Sequence, residues 1–443
     1  MNLNGEEIAA AIGAEVAAAG DLGGPRRAVI DSGAAGEGDL FFGLPGANID
    51  GGEFAGAALA AGAWGAVVGP GRAQGLGGAW VLEVEDPLAA LQGLAGAWRR
   101  SLAARVVGIT GSVGKTSVKD ITRALLPGRV HANRENLNTE VGLPLTILEA
   151  PEGTEFLVLE MAMRGRGQIA ELAAIAEPEV GVITNVGPVH IELLGSVAAV
   201  AAAKAELLAA LPADGTAVAP VDAGELEPHL GGAPRLLRFG PGGDIDVAES
   251  RVLEDGVTEA LVTTPAGRQA FHFPFAESHN LTNALAAIAA GVALGVAPEE
   301  MADGAASIGF SSFRGERLEL GDGIVLVNDC YNANPLSMRA ALDHLATFDG
   351  GRRIAVLGEM GELGDRAAAY HREIGDHARA VGVDSLIGVA EPARDYDPDE
   401  LVGDPGEAAE LLAAQLEPGD TVLVKGSRSA GLENVAETLR ELL

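Results

Sequence analysis

Apolar runs of strand length alternate with stretches of helical period along most of this 443-residue chain, and the alternation restarts twice. Over residues 1–100 the spacing predicts a helix at Glu6–Ile12, a short strand at Ala28–Ile30, an apolar strand ending at Phe42, an Ala-rich helix at Ala55–Gly62 and a buried strand at Trp64–Val68. Asp31 to Asp39 reads as turn chemistry and Gly46 to Phe54 as a loop. Arg99 and Arg100 then end a linking helix. Residues 101–310 read as a second unit, with strands from Val106 and at Phe156–Met161, Val180–Val186 and Thr216–Pro220, separated by helical stretches. Inside it, Asp244 to Phe275 alternates polar and apolar positions around Asp255-Gly256 and Ala266-Gly267, as antiparallel hairpins do, and Asn280 to Gly291 is an Ala-rich helix. A third unit, residues 311–443, carries strands at Ile324–Asn328, Ile354–Leu357, Ser385–Val389 and Thr421–Val424, each followed by a helical pattern. No G-x-G-x-x-G follows its first strand, so no dinucleotide is expected there.

One stretch organises this pattern. The apolar run from Val106 feeds into Thr110-Gly-Ser-Val-Gly-Lys-Thr-Ser117, and a helix follows. Gly111 and Gly114 let the backbone turn its N–H groups toward an anion, and the helix N-terminus adds positive potential. Lys115 would reach terminal phosphates and Thr116 would ligate magnesium. The loop is a short form of the usual motif, because the glycine normally found five residues before Gly114 is Ile109. The chain is therefore expected to be α/β with three domains: a small N-terminal α/β domain, a central P-loop-type ATP-binding α/β domain and a C-terminal Rossmann-like domain.

Composition narrows the partners. A net charge of −33 opposes any general affinity for nucleic acid, so an anionic substrate needs a local basic site. Only four lysines occur, Lys115, Lys119, Lys204 and Lys425. The acid excess has two open explanations, adaptation to a salty cytoplasm or GC-rich coding with ordinary solubility, which melting temperature against potassium chloride would separate. No uninterrupted apolar window is long enough for a membrane span, and Glu6 and Glu7 stand where a signal peptide would be basic or apolar; a cytoplasmic protein is expected. The single cysteine, Cys330, excludes an intrachain disulfide and reads as a packing residue.

Further polar residues fall at strand ends. Glu160 closes the strand from Phe156, and His190 follows Val180–Val186 through Gly187-Pro188. In a parallel sheet both would sit beside the phosphate loop, where a carboxylate and an imidazole could hold a magnesium or manganese ion. Either could equally be an ordinary ion-pair carboxylate or a loop histidine. Asn136, Asn138 and Thr139 could bond phosphate or metal-bound water, or merely cap a turn, and Lys204 within Ala201–Glu206 reads on spacing alone as a solvated helix lysine.

Taken together, Thr110–Thr116, Asn136-Leu-Asn-Thr-Glu-Val-Gly142, Glu160, Thr184-Asn-Val-Gly-Pro-Val-His190, Lys204, His279-Asn280 and Asn283 resemble the ATP-dependent Mur ligases of peptidoglycan synthesis. Asp329-Cys-Tyr-Asn-Ala-Asn-Pro-Leu-Ser-Met338, Gly358–Gly364, His371 and Val424–Arg428 resemble the members that add D-alanyl-D-alanine to UDP-N-acetylmuramoyl-tripeptide. The resemblance implies a cytoplasmic monomer that uses ATP to phosphorylate a carboxylate and then couples the acyl phosphate to an amine. It implies a nucleotide set of Thr110, Gly111, Ser112, Val113, Gly114, Lys115, Thr116, Ser117, Asn280, Asn283, Arg317 and Asp329, with Asn280 on adenine. It implies catalytic Lys115, Lys204 and His190; magnesium at Thr116, Glu160, His190 and a carbamylated Lys204; and substrate contacts from Asp31, Ser32, Asn138, Thr139, Asn332 and Asn334. Third-domain closure over the loop is expected.

The chain departs from the family pattern at two N-terminal positions. Asp-Ser-Arg appears as Asp31-Ser32-Gly33 and Asp-Gly-His as Asp50-Gly51-Gly52, so an arginine expected near the uridine nucleotide is missing; Arg26 or Arg27 is the expected substitute. Ser278 also replaces a glycine before His279. The alternatives are a sister ligase with another amino-acid substrate and a non-catalytic ATP-binding paralogue.

Overall fold

A computed structural model describes residues 1–21, 23–134, 136–311 and 313–442. Four sheets follow one another along the chain. The first orders its strands Glu15–Ala18, Trp80–Glu83, Gly65–Val68, Asp39–Phe42 and Arg27–Val29, all neighbours parallel except the first pair. The second is parallel throughout, in the order Leu236–Phe239, Thr216–Pro220, Val180–Ile183, Arg105–Thr110, Phe156–Glu160, Val130–Ala132. Its inner strands are almost wholly apolar because both faces are covered.

A three-stranded antiparallel sheet, Asp246–Val252, Thr258–Thr264 and Gly267–Phe273, follows as an appendage. Phe271 and Phe273 on it and Phe275 just beyond it stack in series and pack toward the central sheet, where they share a core with the helices Lys115–Leu125 and Ser278–Ala293. The last sheet pairs Glu316–Gly321 antiparallel to Ile324–Asn328, and then Thr421–Lys425, Arg353–Leu357, Ser385–Val389 and Glu400–Val402 continue in parallel.

Several short strands lie outside the expected set: Glu15–Ala18, Trp80–Glu83, Val130–Ala132, Leu236–Phe239, Glu316–Gly321 and Glu400–Val402. Most are edge strands with exposed or half-buried residues, so the alternation that betrays a strand is weak in them. The helix Pro87–Leu102 does more than link. Asp86 caps it, and it buries Leu91, Leu94 and Trp98 in one core that runs from the first sheet to Leu157 and Leu207 beneath the second. The Trp98 indole N–H donates to Ala150 O at 3.0 Å, and Arg99 Nε to Ala176 O at 2.9 Å, which ties the first unit to the second.

Candidate functional site

The central sheet reverses its strand order around Arg105–Thr110, the switch point where open α/β sheets bind ligands. Register pairs Ile109 with Glu160 and Thr110 with Ile183, so Glu160 and Thr184 flank the loop that leaves Thr110. Gly114 turns that loop at φ +77°, and a Cβ there would come within 2.5 Å of Asn283 Oδ1; one at Gly111 would collide with Thr184 Oγ1. The Ser112 N–H donates to Asn185 O at 3.1 Å and the Val113 N–H to Asn185 Oδ1 at 2.9 Å, while Ser112 Oγ accepts from the Gly187 N–H at 2.9 Å. Ser112 and Val113 thus hold the loop in shape. The N–H groups at the start of the helix Lys115–Leu125 have no side-chain cap and no intrahelical partner, and are suited to receive an anion. Thr110 Oγ1 is buried with no hydrogen-bond partner among the described residues, an acceptor or donor left for a ligand.

Two lysines converge here. Lys115 Nζ and Lys204 Nζ both donate to Gly111 O, at 3.1 and 2.8 Å. Lys204 is 2 % exposed and is no solvated helix lysine. Burial lowers the pKa of both, Lys204 well below the ordinary ammonium range, and Lys115 lowers Lys204 further. Glu160, also 2 % exposed, accepts from Thr116 Oγ1 at 2.7 Å and from Asn138 Nδ2 at 2.8 Å. Its own N–H donates to Asn133 Oδ1 at 2.6 Å, and Lys119 Nζ donates to Asn133 O at 3.0 Å. Thr139 Oγ1 accepts from the Gly142 N–H at 3.4 Å, a turn-capping contact.

His190 stands in the left-handed region at φ 52° and pairs through Nδ1 with Glu362 of the last domain. Burial lowers its pKa, with Glu362 opposing. Glu362 lies 3.5 Å from Arg164 Nε and accepts the Glu192 N–H on its carbonyl at 3.3 Å. On the helix Ser278–Ala293, Asn283 Nδ2 donates to Asn280 Oδ1 at 3.2 Å, and Asn280 reaches Glu277, which lies 3.5 Å from His344 of the last domain.

The remaining expected residues divide. Asp329 pairs with Lys425 Nζ at 2.6 Å, and the same ammonium donates to Asp329 O and Asn332 O. Arg317 is exposed, 3.6 Å from Glu319 and 5.9 Å from the Phe348 ring. Asn332 Oδ1 accepts the Ala333 N–H, and Asn334 caps the helix Pro335–Leu345 with a reciprocal Ser337 bond. Cys330 is buried, and desolvation pushes its thiol up to about 12.

In the first sheet, Asp31 Oδ1 accepts the Gly33 N–H at 2.8 Å beside a half-buried Ser32. Arg27 is committed to Asp39 by bonds of 3.0 and 3.1 Å, and Arg26 lies along Gly38. Arg72 instead lies against Gly52, 2.9 Å from Asp50 and 3.1 Å from Glu53, at the strand-end edge that also carries Ser32. Three further residues were not among the expected ones: Asn133; Asp120, whose Oδ2 accepts from the Ser311 N–H and Oγ at 3.0 and 2.9 Å; and Arg314, whose guanidinium lies 4.1 Å over the Tyr331 ring. Asn185 stood only inside the Thr184–His190 motif, with no role of its own. Asn185 had a signal, a polar pair directly after an apolar strand; Asn133 had none.

Residues 109–291 match the Mur ligase middle domain, and residues 313–428 match the glutamate ligase domain of Mur ligases. This chain belongs to the Mur ligase family. Among its relatives is the UDP-N-acetylmuramoyl-tripeptide–D-alanyl-D-alanine ligase of Synechocystis sp., 40% identical over 91% of this chain and 89% of that protein. A crystal structure of MurF from Acinetobacter baumannii superposes with a TM-score of 0.89 at 27% identity, covering 100% of this chain and 99% of that one. MurF ligase from Thermotoga maritima in complex with ADP gives 0.85 at 31% identity, covering 94% and 97%. Among the described residues no helix is long and apolar enough to cross a membrane.

Proposed function

We propose that this chain joins D-alanyl-D-alanine to UDP-N-acetylmuramoyl-tripeptide at the expense of ATP, as a cytoplasmic step in making peptidoglycan precursor. The observation that carries the reading is the convergence of Lys115 and Lys204 on Gly111 O beside the Thr116–Glu160 pair, under residues of a third domain. The relatives' shared substrate names supply the specificity.

A carboxylate is a poor acyl donor at neutral pH, so the terminal carboxylate of the tripeptide takes the γ-phosphoryl group of ATP and ADP leaves. The amine of D-alanyl-D-alanine then attacks the acyl carbon, phosphate departs and the amine proton is lost. The enzyme's part is to hold reactants in line and to neutralise charge. Lys115 and the helix N–H groups would cradle the phosphates. Asn280 would face adenine, Asn283 would meet the nucleotide beside Gly114, and Asp329 and Arg317 would approach the nucleotide from the last domain. Asp31 and Ser32 would meet the UDP end, where Arg72 is better placed than Arg26 or Arg27 to supply a cation. Asn138, Thr139, Asn332 and Asn334 would shape the acyl and dipeptide ends, the last two through the loop they brace.

Magnesium would screen the phosphate charge. Among the described residues no cluster of three or more histidine, cysteine or acidic side chains could hold a metal by itself. That suits an ion that keeps one or two carboxylates plus substrate phosphates. Thr116, Glu160 and His190 would serve it, and a carbamate on Lys204 would add a carboxylate. A neutral amine is needed to add to carbon dioxide, and the burial that lowers the Lys204 pKa favours that form: its nitrogen would bond the carbon and release a proton.

The test is phosphate release from ATP with magnesium and UDP-muramoyl tripeptide, with and without D-alanyl-D-alanine. Release that needs both substrates, with the pentapeptide product found by mass, supports the ligase. ATP binding without acceptor-dependent release would refute it in favour of a non-catalytic paralogue. Bicarbonate depletion should lower the rate and replenishment restore it; indifference to bicarbonate would remove the carbamate from the scheme.

A further inference from the structure

Of the four lysines, Lys119 is buried on the helix Lys115–Leu125 and has no part in the reaction steps above. A buried ammonium costs free energy unless its donors are engaged, so its partners define its role. Its Nζ donates to Asn133 O at 3.0 Å and lies 3.0 Å from Asp120 Oδ1. Asn133 stands one residue past the strand Val130–Ala132, whose pairing with Phe156–Glu160 ends at Ala132 opposite Val158. Beyond that point the Asn133 side chain takes over as the strand's neighbour. Its Oδ1 accepts the Glu160 N–H at 2.6 Å, and its Nδ2 donates to Glu160 O at 3.3 Å and to Leu137 O at 2.5 Å. Leu137 adjoins Asn138, whose Nδ2 holds Glu160 Oε1 at 2.8 Å and whose carbonyl accepts the Ala162 N–H at 2.9 Å. One amide thus fixes both the backbone of Glu160 and the loop that grips its carboxylate. Asp120 carries the network further, because its Oδ2 accepts both the N–H and the Oγ of Ser311, on the connection into the last domain.

We propose that Lys119 is a positioning residue for the magnesium carboxylate: through Asn133 it fixes the strand end and the loop that orient Glu160, and through Asp120 it joins that clamp to Ser311. A lysine suits the task because a carbonyl and a carboxylate both need donors, and one ammonium carries three. Metal affinity and the attachment of the last domain are then linked through one buried ion pair. The inference rests on the ATP- and magnesium-dependent ligase reading above.

The experiment compares wild type, K119M, K119R, S311A, N133A and the K119M/N133A double variant, measuring the affinity for a non-hydrolysable ATP analogue with saturating manganese and again in EDTA. In K119M the affinity with manganese should fall about tenfold, the loss usual when a residue that orients a metal ligand is removed, and the affinity in EDTA should change less than about twofold. K119R, which keeps the charge and the donors, should recover part of the loss, and S311A should shift the manganese value in the same direction by less. N133A should lose at least as much as K119M, and the double variant no more than N133A, because the lysine acts through the asparagine. In turnover, K119M should need about tenfold more magnesium for half-maximal rate and approach the wild-type kcat once the metal saturates, a rescue that a merely structural defect would not show. Unchanged affinity with manganese would overturn the proposal, as would an equal loss in EDTA, which would mean a deformed phosphate loop. Additive losses in the double variant would place Lys119 outside the Asn133 clamp and also overturn it, and an inert S311A would overturn the link to the last domain. Where K119M does not fold, N133A decides alone, and its unchanged affinity with manganese would overturn the clamp. The nucleotide comparison needs no acceptor, so these shifts in a wild type that makes no pentapeptide would keep the inference while the ligase reading fails.

Discussion

Replacing Gly114 by alanine tests whether the phosphate loop is fixed by the backbone or by its side-chain surroundings. The residue sits at φ +77°, a conformation that costs an L-residue roughly 1–2 kcal/mol. Its new methyl group would stand 2.5 Å from Asn283 Oδ1 and 3.3 Å from Asn283 Cγ, too close for either. The amide must swing away, and its 3.2 Å bond to Asn280 Oδ1 is lost, a further ~1 kcal/mol. The expected destabilisation is therefore about 2–3 kcal/mol, read from urea unfolding of the nucleotide-free protein. The two parts separate in a double-mutant cycle. N283A alone should cost about 1 kcal/mol, and G114A with N283A should cost about 1 kcal/mol less than the sum of the singles, because the clash is gone and only the dihedral cost persists. Affinity for an ATP analogue should stay impaired in the double variant, since the N–H groups that follow Gly114 are displaced by the backbone. Additivity within about 0.3 kcal/mol would refute the steric account, and a G114A protein as stable as wild type would refute the whole argument.

Burial holds Lys115 and Lys204 below the usual ammonium range, so the unfolded chain binds more protons than the folded one between the folded pKa values and about 10.4. Stability of the nucleotide-free protein should rise with pH through that window, and K204M should remove one lysine's share, up to ~1.4 kcal/mol per pH unit; identical pH slopes for the two proteins would count against it. Glu362→Gln removes the charge facing His190 and Arg164 across the domain boundary, and kcat/KM should fall about tenfold with nucleotide affinity unchanged; an equal loss of nucleotide affinity would show that the pair shapes the site and not the docking. Cys330, its thiol raised to about 12, should resist alkylation near about pH 8 in the folded protein and react once denaturant is added, whereas prompt labelling of the native state would disprove its burial.

What the sequence displays and what it hides follow one physical division. The loop from Thr110 to Ser117, Glu160 at a strand end and the parallel sheets are local features, since each rests on a run of apolar residues closed by a polar one. Lys204 shows the opposite case. Its helix, Val197–Ala209, is apolar nearly all round, which on the page looks like an Ala-rich helix with one solvated lysine. Only the packing against the central sheet reveals that the lysine is buried and aimed at Gly111 O, and the family resemblance, not its spacing, marked it out beforehand. Asn133, Asp120 and Arg314 lie further from view, because each works through a partner 27 to 191 residues away or through an aromatic face of another strand end. The same division accounts for the N-terminal unit. Gly33 and Gly52 read as losses when each position is taken alone, yet the space at Gly52 is lined by the Arg72 side chain, which arrives from the next strand's turn and is held by Asp50. On the proposed reading, a charge absent from one position of the motif would come from a different segment at the same sheet edge, once Arg72 exchanges Asp50 and Glu53 for the substrate. The parallel order of those strands makes this possible, because it delivers every one of their C-terminal turns to a single side of the sheet.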